Sequence, residues 1–155
     1  MPKEVMRRQA SDNVYLHRDF HGALSTGIEY LHAKFGEQAV RDYLRQFTNS
    51  FYAPLKEDIR KRGLVALKEH FQKVYEQEGG RVSFTLSEGE LVMKVEACPA
   101  VTHMREHGYA VARLFSETTR TVCEALCEDT SFEAQLLEYD HATGRSVVRF
   151  SRRSP

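Results

Sequence analysis

The sequence predicts an α+β fold: N-terminal helices packed on a small antiparallel sheet of two hairpins, with helices between them. Three observations predict it. Apolar residues recur at spacings of three and four through the first half of the chain, the mark of amphipathic helices. The period then drops to two in two separate places, each interrupted by a turn sequence. No strand–helix–strand alternation occurs, which argues against a parallel doubly wound sheet.

Residues 1–12 are polar and read as loose. From His17 the pattern is helical, with Phe20, Leu24, Ile28, Leu31 and Phe35 on one face and Gly36 as the stop. A second helix starts near Glu37 and places Val40, Tyr43, Leu44, Phe47 and Phe51 on its stripe. Pro54 restarts the chain, because proline disfavours helical geometry at Ala53 and donates no N–H. Leu55, Ile59 and Arg62 then keep a helical register to Gly63. Leu64, Leu67, Phe71 and Val74 define a helix over 64–78, stopped by Gly79-Gly80. Val82, Phe84 and Leu86 alternate, Ser87-Glu88-Gly89-Glu90 turns, and Leu91, Met93, Val95 and Ala97 alternate again. Cys98-Pro99 ends that strand, and residues 100–107 make two short helical turns closed by Gly108. A long helix is expected over 111–128, with Leu114, Phe115, Thr118, Val122, Ala125 and Leu126 inward. Phe132, Ala134, Leu136 and Glu138, then a turn over 140–144, then Val147 and Phe150, give the second hairpin.

The 155 residues suit one domain, 1–155, large enough to fold without a disulfide or metal staple. Lys+Arg and Asp+Glu both number 22, and this balance argues against a dedicated nucleic-acid binder. Lys56, Arg60, Lys61 and Arg62 are interleaved with acids and read as a solvated helix face. No apolar run is long enough for a membrane span, and no apolar stretch follows Lys3, Arg7 and Arg8 as a secretory signal requires. Three cysteines, two of them four apart on one helix, are no disulfide framework. They imply a reducing, cytoplasmic setting.

His17-Arg18-Asp19-Phe20-His21 is the densest functional segment. His17 and His21 share a helix face, a spacing that suits substrate contact, catalysis or two imidazoles on a metal. Asp19 also suits a helix start, where a carboxylate meets free N–H groups. Cys98 stands where a strand gives way to a helix, a place that pushes a thiol toward thiolate; the alternative is a small buried filler. Cys123 and Cys127 read as core fillers. Glu117 and Arg120 are spaced to pair on a surface, while Thr118 is a poor helix-interior residue and suits a cavity. Tyr52 offers a hydroxyl to a binding site or sits at a core edge. His103-Met104-Arg105-Glu106-His107 has the letters of an inverted zinc-protease motif. Gly108 follows at once, so an exposed polar turn is expected.

Several segments together carry a resemblance: His17-Arg18-Asp19-Phe20-His21-Gly22-Ala23-Leu24, Phe51-Tyr52-Ala53-Pro54-Leu55, Cys98-Pro99-Ala100-Val101 and Glu117-Thr118-Thr119. With them the chain resembles the L-2-amino-thiazoline-4-carboxylic acid hydrolase family. The resemblance implies hydrolytic opening of a cyclic amidine at a C–N bond, giving an N-carbamoyl cysteine. It implies Cys98 as nucleophile or substrate contact, His21 as base and Asp19 as its orienting carboxylate. Ser146 stands where some relatives are expected to have another cysteine. His17, Tyr52, Glu117 and Thr118 are taken as substrate-binding residues. No metal and no cofactor are assigned. The expected partner is a small-molecule substrate or ligand, with no nucleic acid and no membrane, and a homo-oligomer is left open. The alternative is a non-enzymatic small-molecule-binding or sensor domain. An interaction module ranks last, because no apolar stripe is expected to remain once the helices pack.

Overall fold

The computed structural model describes residues 19–155, so the readings for residues 1–12 and for His17 lie outside the described residues. Six helices and four strands follow in the order α1 (Phe20–Phe35), α2 (Glu37–Phe51), α3 (Ala53–Arg62), α4 (Leu64–Glu78), β1 (Arg81–Leu86), β2 (Glu90–Ala97), α5 (Pro99–Glu106), α6 (Glu117–Cys127), β3 (Phe132–Tyr139) and β4 (Ser146–Arg152). The chain is α+β with a four-stranded antiparallel sheet. None of the described helices is long and apolar enough to cross a membrane.

The strand order is β1-β2-β4-β3, so the two hairpins join through β2 and β4. That pairing sets Leu91 opposite Phe150 and Met93 opposite Val148, all four fully buried. A slip of one residue would turn this apolar row to solvent, so burial fixes the register. The other face carries Lys94 and Glu96 exposed, the usual one-sided pattern of an antiparallel sheet. Val147 does not share a face with Phe150 as expected; an odd spacing cannot place two strand residues on one side, and Val148 is Phe150's neighbour there. In β3 a bulge between Leu136 and Glu138 leaves Leu137 without a partner and exposed.

Two cores result. Leu67 of α4 and Leu126 of α6 lie with the sheet's inner face, and Ile59 of α3 reaches the same core. Each such side chain removed from water contributes about 1.5–3 kcal/mol. α1, α2 and α5 build a second core around Ile28, Val40, Leu44, Val101 and Met104. The N-terminal helices therefore do not all lie on the sheet. α4 does, α3 packs on α4, and α2 packs on α6.

Four expectations are corrected. The long helix over 111–128 forms only as Glu117–Cys127. Before it, Phe115 N–H bonds to Ala112 O and Glu117 N–H to Leu114 O, a tighter i to i−3 pattern. The cause is α1: Ser25 Oγ accepts from Ala112 N–H at 2.8 Å and Glu29 accepts from Arg113 N–H at 3.2 Å, drawing the segment off the helix axis. On α2 the buried row is Val40, Leu44 and Thr48, while Tyr43, Phe47 and Phe51 form an adjacent exposed row, so an apolar stripe does remain. On α1, Phe20 and Phe35 are exposed for the same reason: the stripe is wider than its contact. Lys56 is no solvated charge. It is 5% exposed, and its ammonium donates to Asn49 Oδ1 at 2.6 Å.

His70 stacks edge-on against Tyr52 and Phe71 at 5.4 and 5.1 Å. Burial, helped by the charge of Lys73, holds its imidazole below the ordinary histidine value of 6.5. The unfolded chain therefore takes a proton that the folded chain resists. Stability from this residue is present above that ordinary value and lost as pH falls from it toward the folded value. His70→Gln should show a smaller loss of Tm than the parent protein between about pH 7 and about pH 5, by calorimetry. An equal loss would remove His70 from the account.

Candidate functional site

The first turn of α1 lies across a cleft of about 570 Å³ whose walls come from the end of α4, the start of β1 and α5. His21, Glu78, Arg81, Glu96, His103 and Glu106 supply its polar groups. His21 Nε2 is 3.1 Å from Glu78 Oε1, and the two side chains are 22% and 18% exposed, reachable yet largely desolvated. On the other side His103 Nε2 is 3.2 Å from Asp19 Oδ1. The His103 ring lies 4.1 Å from that of His107, whose Nδ1–H donates to His103 O at 2.8 Å. Two imidazole–carboxylate pairs thus tie α1 to α4 and to α5.

Local chemistry builds these walls. α4 ends at Gly79 in the left-handed region, φ 71°, which frees the chain to turn at once into β1. A side chain at Gly80 would meet Pro99 Cγ at 2.7 Å and Tyr75 Cδ1 at 2.9 Å, so only glycine lets β1 pass this close to the start of α5. Glu78 stands in the last turn of α4, where helix carbonyls disfavour a carboxylate. His21 supplies the partner that this place in the helix does not.

Of His21 and Asp19, His21 lines the cleft, while Asp19 does not and touches it only through His103. Asp19 orients His103, not His21, and the carboxylate on His21 is Glu78. Cys98 is outside the lining. Its neighbours Ala97 and Pro99 face the cleft while Cys98 packs beside the second core. A side chain at Gly144 would run into Cys98 Cβ, and Cys98 N–H donates to Thr143 O at 3.0 Å, so the turn before β4 closes over it. Of the two readings left open for Cys98, the structure favours the buried filler over the thiolate. Burial pushes the Cys98 thiol up, outweighing the N–H groups of Val101 and Ala100 that pull it down. Cys123 and Cys127 are buried, and burial pushes Cys127 up to about 12.

The remaining expected residues lie away from the cleft. Tyr52 sits among Phe47, Phe51 and His70, and burial raises its hydroxyl. The Thr118 hydroxyl donates to Phe115 O at 2.7 Å and tightens the turn before α6. Glu117 is not on the surface. It is 1% exposed, with Arg120 at 3.1 Å, Arg41 of α2 at 3.4 Å and the Thr121 hydroxyl donating at 2.7 Å. Burial works against the Arg41 charge, but Glu117 and Glu37 outweigh it and hold that guanidinium above its ordinary value. Glu124 is raised, by burial first and then by the charge of Glu117.

Sequence reasoning missed Glu78 and His103. Glu78 had a readable signal: an acid against the helix dipole with no basic residue in the last turn. His103 was set aside with its motif, and the density of His103, His107 and Tyr109 was the clue. Among the described residues, no group of three or more His, Cys, Asp or Glu is placed to hold a metal ion. No protein-family model matches the chain, and no curated protein matches it.

Two outcomes follow. Iodoacetamide should label Cys98 in the folded protein no faster than free cysteine near neutral pH; labelling about tenfold faster would restore a reactive thiolate. Glu117→Ala should cost about 2–3 kcal/mol, because the buried Thr121 hydroxyl loses its acceptor and two partly exposed guanidiniums lose the carboxylate between them. That corresponds to a Tm lowered by roughly 5–10 °C. A loss below about 1 kcal/mol in denaturant titration would make the buried triad unimportant.

Proposed function

We propose that the cleft at His21 is a small-molecule site that hydrolyses a cyclic amidine, with His21 as general base. The observation that carries this reading is the His21–Glu78 hydrogen bond on the cleft wall. With Nε2–H donating to the carboxylate, Nδ1 holds the lone pair, and Glu78 fixes that tautomer and the orientation of the ring, leaving Nδ1 to take a proton. The substrate class comes from the family resemblance, with 2-amino-thiazoline-4-carboxylate as its representative. Glu78, Glu96 and Glu106 against Arg81 give the walls an acidic balance that favours its amidinium form.

The bond broken differs from the C–N bond expected from sequence. N-carbamoyl cysteine keeps both nitrogens on the amidine carbon, so it is the carbon–sulfur bond that opens. Water adds to that carbon and its proton passes to His21. On collapse the sulfur leaves and takes the proton back from His21. The new hydroxyl becomes the carbonyl and releases the proton that the amidinium brought in. This sequence uses water where the sequence reading used Cys98, and it leaves Asp19 to orient His103.

One observation favours the second reading, a binding or sensor domain without turnover. The cysteine that the resemblance makes the nucleophile does not line the cleft. The two readings separate in one assay: incubation with 2-amino-thiazoline-4-carboxylate, followed by mass spectrometry and free-thiol titration. Hydrolysis predicts one new thiol per turnover, a loss of roughly 10²–10⁴-fold in His21→Gln, and a Cys98→Ser variant within about threefold of the parent. Thermal stabilisation with the compound recovered intact would establish binding alone. Neither turnover nor stabilisation would end both readings.

A further inference from the structure

We propose that the outer edge of β1, with the flank of α4 beside it, is the surface on which a second copy of this chain docks about a two-fold axis. The inference is independent of what the cleft binds.

Among the described residues β1 ends the sheet, and no strand pairs with its outer edge. Val82-Ser83-Phe84-Thr85-Leu86 has β-branched and aromatic residues and no charge, proline or glycine. Its register with β2 is regular, the one shift falling earlier, between Arg81 and Val82. Such a strand is a template for another strand, and natural edges are normally blunted. The opposite edge shows the contrast. β3 carries a bulge at Leu137 and the acids Glu133 and Glu138, the devices that prevent pairing.

A groove of about 490 Å³ runs along β1. Five consecutive residues, 80–84, line it, with Glu96 of β2 beside Arg81 at 3.7 Å. Side chains on one face of a strand alternate, so an unbroken run means that the backbone edge itself forms the wall. The facing wall is Lys68, Gln72 and Glu76, spaced by four on one side of α4.

These two walls are self-complementary about the same point. A two-fold axis at Gln72 sets Lys68 against Glu76 of the second copy, and Glu76 against its Lys68. Gln72 lies eight residues of helix before Gly80, about 12 Å at the helical rise. A two-fold axis normal to the sheet keeps each residue on its own face, so it passes through a single residue of β1, and Phe84 lies about 13 Å beyond Gly80 at the strand rise. One axis therefore serves antiparallel β1–β1 pairing and antiparallel α4–α4 packing, an isologous interface. Within the described chain neither Lys68 nor Glu76 has an ion-pair partner; Glu76 accepts only from Gln72, at 3.1 Å.

Analytical ultracentrifugation of the full chain tests this, with circular dichroism to confirm folding. The parent protein should sediment as a dimer. Lys68→Glu and Glu76→Lys should each weaken the dimer at least about tenfold, since each sets two like-charge pairs across the axis. The double variant K68E/E76K should return to the parent affinity, because the exchanged charges meet again. A parent dimer indifferent to the single variants would place the interface elsewhere and overturn the proposal. A monomer at about 100 µM would overturn it too. Slow hydrogen exchange along β1 in that monomer would assign the edge to residues 1–18.

Discussion

The carboxylate of Glu117 sets the constraint on which the helical layer depends. A charge that is 1% exposed is costly in a protein interior unless opposite charge and hydrogen bonds surround it. Arg120 and Thr121 come with it on α6, but Arg41 must be delivered by α2. α2 is therefore fixed on α6 in rotation and along its axis, and Arg45 to Glu128 at 2.6 Å repeats the tie lower on the same seam. α6 in turn sets Leu126 and Cys127 on the sheet. The placement propagates from there. α2 follows α1 after a single glycine, and α1 carries His21 to the cleft. A buried ion pair adds little net stability over an apolar filling, but it tolerates few alternative packings. A hydrophobic seam could slide by a turn; this one would strand a charge.

The cleft is held by weaker, wetter interactions. α1 gains its purchase on α4 and α5 near the cleft from two imidazole–carboxylate contacts, each partly exposed. Farther along, Ser25 accepts from Ala112 N–H and Glu29 grips Arg113 at 2.8 Å, which anchors the helix body. The contrast is physical. Desolvated Glu117 belongs to the packed interior, and the imidazole–carboxylate pairs of the cleft stay in contact with water. It also explains why Glu117 and Thr118, polar residues in an apolar setting, looked from sequence like ligand contacts. Polarity in a helix interior marks a group with an obligatory partner, and that partner here is protein.

Much of the architecture was legible because it is local. α4 was readable to the residue, since its apolar spacing ends at a glycine pair that cannot continue a helix. The two hairpins were readable from period and turn chemistry. What failed was set by distance in the chain. Residues 111–116 have helical periodicity, yet Ser25 and Glu29, more than eighty residues earlier, compete for their backbone N–H groups. The width of the α2 stripe depended on how much of it α6 covers. At the site, His21 was legible as an unusual helix-start histidine, but its partner lies 57 residues away, and no local pattern links them. At Cys98 the sequence leaves a helix-terminus thiolate and a buried filler both open, and burial, which depends on the turn before β4, favours the filler.

Glu78 connects these points. At the last turn of α4 its charge faces the negative end of the helix, and no basic residue of that turn offsets it. A carboxylate chosen for stability alone would stand at the other end. Its cost is reduced by His21, whose Nε2 lies 3.1 Å from the carboxylate. The same contact that relieves the helix end therefore fixes the orientation of the imidazole on the cleft wall. The stability cost falls on α4, which its apolar face and the left-handed Gly79 hold in place, while the offsetting partner comes from the first turn of α1. A site assembled across two elements in this way needs both to be positioned independently, and the Glu117 seam and the sheet core do that from opposite sides.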